Sequence, residues 1–342
     1  MKVLLGGFPG SGTSEHFARR AFENLGVELE FFDFSSYHTS PFNKAVNRFR
    51  EVPLYFGTQK LNAELIEAAR KFKPDFILLF KPILINPRVV LALKETPCKV
   101  FSWYPDYVSF PKTASVLFYA SISAYDCHFS FNYANAEELK NMGAVRSLFI
   151  PCGADSECHK PTLVPEKERT QWAADIAFVG TYAPEKRVEF LEKLCGEGYH
   201  IKIWGNAWEG LPKDSCLAKR GCVQYRAVNC EEMGKVVAAS KIILAFVRGH
   251  NKETLACRTF EIPAYGGFML HERTAKTGEF LKEGEEAEFF ADYHELKRKI
   301  DFYLSHGEAR KIIAERGRRR VVEGGNLMVD RVRAIIEVFK TL

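Results

Sequence analysis

The feature that most constrains this chain is the alternation of short apolar strands with helix-patterned stretches, sustained over almost its whole length. In the first half, "KVLLGG", "ELEFFDF", "DFILLF", "CKVFSWY", "CHFSFN" and "RSLFIP" read as strands, with helical segments such as Ser14 to Leu25 and Asn62 to Phe72 between them. In the second half "DIAFVGTY", "HIKIWGN", "KIILAFV", "GFMLHE" and "AEFFAD" repeat the pattern. Strands that alternate with helices build parallel sheets covered by helices, so the class is α/β. Between the halves lies "PCGADSECHKPTLVPEKERTQWAA", rich in proline and charge and poor in periodicity, which reads as a linker.

At 342 residues the chain is long enough for two domains of ordinary size. The expected division is 1–155, a linker over 156–173, and 174–325. A final helical segment, 326–342, is apolar at helical spacing in "LMVDRVRAIIEVFKTL" and is expected to pack back on the first domain. Ligands of such sheets sit beyond the carboxyl ends of the strands. The loops to inspect are therefore "GGFPGSG", "WYPDY", "VGTYAPEKR" and "VRGHNKETLACRTFE".

Composition excludes several classes. A hydrophobic share of 46% with 27% charged residues belongs to a globular protein and not to a disordered one. No apolar run reaches the roughly 18 residues of a membrane span, and "MKVLLGGFPG" is too short and glycine-rich for a signal peptide, so a cytoplasmic location is expected, with peripheral membrane association left open. The nine cysteines include no C-x-x-C, and Cys216, Cys222 and Cys230 lack the paired spacing of a zinc site, so reduced, mostly buried thiols are expected. A net charge of +5, with the basic run Arg316 to Arg320 flanked by glutamates, points to a solvated helix face and not to nucleic acid.

The opening loop "LGGFPGSGTS" looks like a phosphate cradle, but Gly12 is followed by Thr13 with no lysine, so it is not a P-loop. Gly7, Gly10 and Gly12 are also misordered for a dinucleotide fingerprint, although Asp33 stands near the distance of a ribose-binding acid. What remains is a strand, a glycine-rich turn and a helix, whose turn lets a ligand approach the backbone.

The most informative segment is "ETLACRTFEIPAYGGFMLHE", in which Glu253 and Glu261 are separated by seven residues and a short helix closes at Gly266-Gly267 before a strand. This order resembles the E-x7-E region of GT-B glycosyltransferases such as glycosyltransferase family 4. "DIAFVGTYAPEKR" is similar to that family's strand, turn and phosphate loop. The stretches 125–161 and 288–323 resemble its interdomain region and its last helices. The branch most similar to it is the CgeB-like, spore-maturation-type set, whose R-x-F-E-x-x-x-x-G-G core stands here as Arg258-Thr259-Phe260-Glu261 through Gly266-Gly267.

The resemblance implies two Rossmann-like domains facing across a cleft, with the acceptor bound by the first and a nucleotide-diphosphate sugar by the second. Glu261 then matches the glutamate that accepts hydrogen bonds from the ribose hydroxyls, and Glu253 the one near the donor sugar. Lys186, Arg187 and Arg258 match the cations that neutralise the diphosphate, with Arg248 and His250 in the same loop region. "FSWYPDY" resembles the family's W-x-x-D strand end, so Asp106 is the candidate to contact the acceptor or to act as base in an inverting enzyme. Gly7, Gly10, Ser11 and Gly12 become cleft wall. His128 and the tryptophans Trp204 and Trp208 are expected to pack in cores. No D-x-D motif is present around Asp106, so neither a metal nor any other cofactor is expected.

The expected activity is therefore transfer of a sugar to a hydroxyl of a saccharide, a lipid-linked or a protein acceptor, retaining if the E-x7-E match holds. Two other classes stay open. One is a non-catalytic GT-B-like binding protein, and the other is a dinucleotide-dependent oxidoreductase, against which the misordered glycines count.

Overall fold

The computed structural model of the chain describes residues 1–37, 55–110 and 113–342. These fall into two compact units. The first comprises Met1–Cys152, His250–Glu253 and Met328–Leu342, and the second Gly153–Gly249 and Thr254–Leu327.

The first unit is built on six parallel strands: β1 (Lys2–Gly7), β2 (Glu28–Asp33), β3 (Phe76–Phe80), β4 (Lys99–Tyr104), β5 (Cys127–Ser130) and β6 (Ser147–Phe149), in the order β2-β1-β3-β4-β5-β6. The inner strands of this sheet are buried on both faces, as parallel sheets require. Leu4, Ile77, Leu79 and Val100 join one core with Leu61, Leu65, Val90 and Phe118. The phenylalanines of alternate positions point the other way and pack along the sheet: Phe76 to Phe101, tilted, at 5.4 Å and Phe101 to Phe129, edge-on, at 5.6 Å. Phe339 of the helix Met328–Lys340 lies 5.0 Å from Phe76. This terminal helix is thus a layer of the first unit.

His128 shows how a polar ring is accommodated in this core. It pairs with Ser102 across β4 and β5, fully buried. Its Nε2 faces the Ile122 carbonyl at 2.8 Å and Nδ1 lies 2.5 Å from the Ser102 hydroxyl. A nitrogen facing a carbonyl must carry the proton, so Nε2–H donates and Nδ1 accepts from Ser102. Burial pushes its pKa down to about 4 from the ordinary 6.5. The unfolded chain therefore takes up a proton that the folded chain refuses. Stability is full above about pH 6.5 and falls by up to about 3 kcal/mol as the pH drops towards 4. Urea unfolding at pH 7 and pH 5 should show this loss, and His128→Gln, which keeps an amide for both partners, should flatten it.

The second unit has five parallel strands: β7 (Ile176–Val179), β8 (Ile201–Trp204), β9 (Ile242–Ala245), β10 (Met269–Glu272) and β11 (Glu288–Phe290), in the order β11-β10-β9-β7-β8. Ile176, Phe178, Ile203, Leu244 and Leu270 form its core with Phe190, Leu194, Leu296 and Ile300 from the covering helices. Trp204 and Trp208 are both buried, and the Trp208 indole N–H donates to the Gly180 carbonyl at 2.9 Å, so these rings are structural. The proline-rich stretch after β6 is itself packed: it holds the helix Glu166–Trp172, and His159 and Trp172 are buried.

Each sheet reverses its strand order once, between β1 and β3 and between β7 and β9. At such a reversal the loops leaving neighbouring strands diverge to opposite faces and open a crevice. Three of the loops singled out in the sequence, "GGFPGSG", "VGTYAPEKR" and "VRGHNKETLACRTFE", leave β1, β7 and β9.

Candidate functional site

In the second unit the helix Arg258–Ala264 brings Arg258 and Glu261 onto one face, three residues apart. Arg258 Nη1 donates to Glu261 Oε2, and Arg258 Nε donates to the Val179 carbonyl at the end of β7, 3.2 Å away. The arginine thus ties the glutamate to the reversal point of the sheet. Glu261 is only 8% exposed. Its other oxygen, Oε1, lies 4.0 Å from Nε2 of His159.

His159 was absent from the sequence-derived candidates. It is positioned by a turn: Asp155 Oδ1 accepts from the N–H groups of Glu157 (3.0 Å) and Cys158 (2.8 Å), and the Asp155 N–H donates back to His159 Nδ1 at 2.8 Å. Because Nδ1 is an acceptor, the proton of the neutral ring sits on Nε2, facing Glu261. The Tyr265 ring meets the imidazole edge-on at 5.3 Å. The outcome is a buried carboxylate flanked by two N–H donors, suited to accepting further hydrogen bonds from hydroxyl groups. The sequence signal available was the Asp-x-x-x-His turn, weak without its partner.

The expected phosphate cations are distributed around the same strand ends. Lys186 opens the helix Lys186–Gly196 just after the β7 loop. Its Nζ donates to Glu272 Oε1 (3.0 Å) and to the Ala291 carbonyl (3.1 Å). Glu272 in turn accepts from the Val247 N–H at 3.3 Å, which joins the loops after β7 and β9 through one carboxylate. Arg187 is buried, and Arg248 is half-buried two residues beyond Phe246. His250 lies in a short 3-10 turn, Gly249–Asn251, and its side chain is outside the described ones.

Glu253 and Glu261 belong to different units. Glu253 lies in the excursion His250–Glu253, which is part of the first unit, whereas Glu261 lies in the second. Asn251 anchors that excursion: its side-chain oxygen accepts from the Tyr107 N–H at 2.6 Å, and its carbonyl accepts from Asn132 Nδ2. Asn251 Nδ2 donates to Glu253 Oε1 at 3.0 Å, and Lys252 sits over the Tyr107 ring at 4.5 Å.

In the first unit the loop after β1 forms a tight turn in which Thr13 caps the helix Ser14–Asn24 and donates to the Gly10 carbonyl at 2.8 Å. Gly7 ends β1, Ser11 is exposed, and Gly12 has φ of +81°, a conformation that disfavours a side chain. Asp33, the acid that a dinucleotide reading would need, accepts instead from the Ser35 N–H and hydroxyl. Asp106 lies just beyond β4 and accepts from Lys81 Nζ at 2.6 Å, with 15% of its side chain exposed. Glu15, within electrostatic reach of Lys81, has its pKa raised chiefly by burial. Glu15, Lys81 and Asp106 therefore gather at the ends of β1, β3 and β4, and only Asp106 had been read from the sequence.

The cysteines depart from expectation at one pair. Cys158 and Cys230 are joined as a disulfide, 72 residues apart in sequence, where reduced thiols had been expected. Spacing alone does not reveal this pair, because the fold brings the His159 turn to the start of the helix Cys230–Ala239. Among the described residues, Cys158, Cys230 and His159 also form the one cluster of three metal-type ligands within 4.8 Å, and the bond occupies both sulfurs.

Comparison with known proteins agrees with this architecture. Residues 186–337 match a family described as glycosyl transferase-like. No curated protein matches the chain by sequence. Among solved structures, sucrose-phosphate synthase from Thermosynechococcus elongatus is 12% identical with a TM-score of 0.69, covering 100% of this chain and 98% of that one. A glycosyltransferase from Rickettsia africae is 14% identical at a TM-score of 0.69, covering 99% and 98%. Anabaena HepE in complex with UDP is 14% identical at 0.67, covering 100% of both chains. No helix among the described residues is long and apolar enough to cross a membrane. Residues 186–337 are thus similar to glycosyl transferase-like domains, and the chain has the two-parallel-sheet α/β architecture of the GT-B fold.

Proposed function

We propose that the chain moves a sugar from a nucleotide-diphosphate sugar to an acceptor hydroxyl, without a metal, and that it stands with the CgeB-like branch. The observation that carries this reading is the buried Glu261 carboxylate, held by Arg258 with His159 Nε2 4.0 Å from its other oxygen, where β7 and β9 diverge. In this reading Glu261 accepts the two ribose hydroxyls, and Arg258, Arg187 and Lys186 neutralise the diphosphate, with Arg248 and His250 nearby. Glu253 faces the sugar. The first unit supplies the acceptor side, through Asp106 and the loop Gly7 to Gly12.

The transfer we favour is retaining. The acceptor oxygen bonds to the anomeric carbon as the bond from that carbon to the phosphate oxygen breaks. The acceptor's proton passes to the departing diphosphate, so no protein base is needed. If the reaction inverts instead, Asp106, held beside Lys81, is the group placed to take the proton.

The solved HepE complexes hold UDP and UDP-glucose, which makes UDP-sugars the first donors to test. Titration calorimetry against UDP-, GDP-, ADP- and dTDP-sugars should give saturable heat with at least one, and that donor should be hydrolysed slowly in the absence of acceptor, with or without EDTA. Binding without turnover on any acceptor would favour a non-catalytic protein. NADH binding with no sugar nucleotide bound would overturn the proposal.

A further inference from the structure

A second chemical site lies in the second unit, at the far end of the helix that opens with Lys186 and Arg187. Cys195 is fully buried in the last turn of the helix Lys186–Gly196, Cys216 is half-buried as the first residue of the helix Cys216–Lys219, and Cys222 is buried just beyond it. The Cys195 and Cys216 sulfurs are 2.6 Å apart, and those of Cys195 and Cys222 are 3.8 Å apart. The first separation approaches the roughly 2.05 Å of a disulfide bond.

The backbone around these thiols is pinned. Glu192 accepts from the Cys216 N–H at 3.0 Å, Ser215 caps its helix by accepting from the Ala218 N–H at 3.1 Å, and Arg220 donates to the Cys195 carbonyl. Glu192 and Ser215 also line an open cavity of about 660 Å³, together with Glu185, Glu189, Asp214 and Lys186. One wall of this cavity is therefore made by the residues that hold Cys216. Burial raises the Cys195 and Cys222 thiols above the ordinary range, so the half-exposed Cys216 is the thiol that a solute reaches first.

We propose that Cys195, Cys216 and Cys222 form a thiol relay, in which Cys216 is oxidised by a small disulfide arriving through the acidic cavity and the bond then passes inward to Cys195 and Cys222. The Cys216 thiolate attacks one sulfur of the small disulfide, forming a mixed disulfide and releasing one small thiol. Cys195 attacks the Cys216 sulfur, which expels the second small thiol and leaves a Cys195–Cys216 disulfide. Two protein thiols are oxidised, and the small disulfide is reduced to two thiols. Cys222 exchanges onto Cys195 with no further oxidant, giving Cys195–Cys222 and restoring the Cys216 thiol.

Because the sulfurs already lie side by side, the cross-link forms without moving the helix that carries Lys186 and Arg187. The consequence is stability and not a change of shape: closing the loop between residues 195 and 216 should raise the melting temperature by roughly 5–10 °C, while nucleotide affinity stays constant. The relay does not depend on the donor assignment.

The test uses the reduced full-length chain treated with cystamine, a cationic disulfide suited to an acidic cavity. Remaining thiols are then alkylated and linked peptides mapped by mass spectrometry. Cys195–Cys216 and Cys195–Cys222 links should appear together with the higher melting temperature. Cys222→Ser should keep the first link alone, and Cys216→Ser should lose the first link and form the second far more slowly. A stable cystamine adduct on Cys216 with Cys195 and Cys222 both alkylated would overturn the proposal. So would oxidation confined to Cys158 and Cys230. Peptide mapping reads these results without reference to activity, so failure here leaves the donor assignment standing.

Discussion

Glu261→Ala should weaken binding of the donor nucleotide by roughly 10- to 100-fold, the loss expected when hydrogen bonds to a charged group worth about 1.5–3 kcal/mol are removed. The carboxylate is buried and already oriented by the hydrogen bond from Arg258, so little ordering cost offsets its contribution. Glu261→Gln keeps the shape and one acceptor oxygen and should lose less. The fold should survive both, because the Arg258 side chain is 34% exposed and water can take up its freed donors, which limits the destabilisation to about 1 kcal/mol. Titration calorimetry alongside a melting curve separates the two effects. Unchanged affinity in a folded Glu261→Ala protein would mean that the ribose sits elsewhere.

Gly205→Ala should be severely destabilising. Gly205 follows β8 with φ of +153°, and an added Cβ would fall 1.9 Å from the Gly180 carbonyl oxygen and 2.6 Å from its carbon. Neither backbone can yield. Gly180 donates to Trp204 O at 2.9 Å, Gly205 donates to Arg226 O at 2.9 Å, and the Trp208 indole holds the Gly180 carbonyl from the other side. A cost above about 4 kcal/mol follows, which lowers the melting temperature by roughly 10 °C or more or abolishes soluble folding. Gly221→Ala is the control: φ is +64° there, but nothing lies within 4 Å of the added carbon, so only the local cost of about 1 kcal/mol applies. Equal melting temperatures for the two variants would refute the argument from contact.

Much of the fold was readable in advance for a local reason. A strand such as "DFILLF" or "KIILAFV" is recognisable from its own few residues, and eleven such runs separated by helical patterns leave parallel sheets as the consistent solution. The loops at the strand ends, and Arg258 with Glu261 three residues later, were equally local. Unit membership is a different matter, as Glu253 shows. The spacing that joins it to Glu261 in sequence is real, yet Asn251 hydrogen-bonds to Tyr107 and Asn132 and takes the segment into the first unit.

The sequence by itself determined the class of fold, the position of each strand, and the presence of a short helix at Glu261, because these depend on periodicities of two and of three to four residues. Only the tertiary structure decided who meets whom: His159 with Glu261 across 102 residues, Lys186 with Glu272 across 86, Lys81 with Asp106 across 25, and Cys158 with Cys230 across 72. Those pairings follow from the order of strands within each sheet, which is a property of the whole packed unit and leaves no mark in any local stretch of chain.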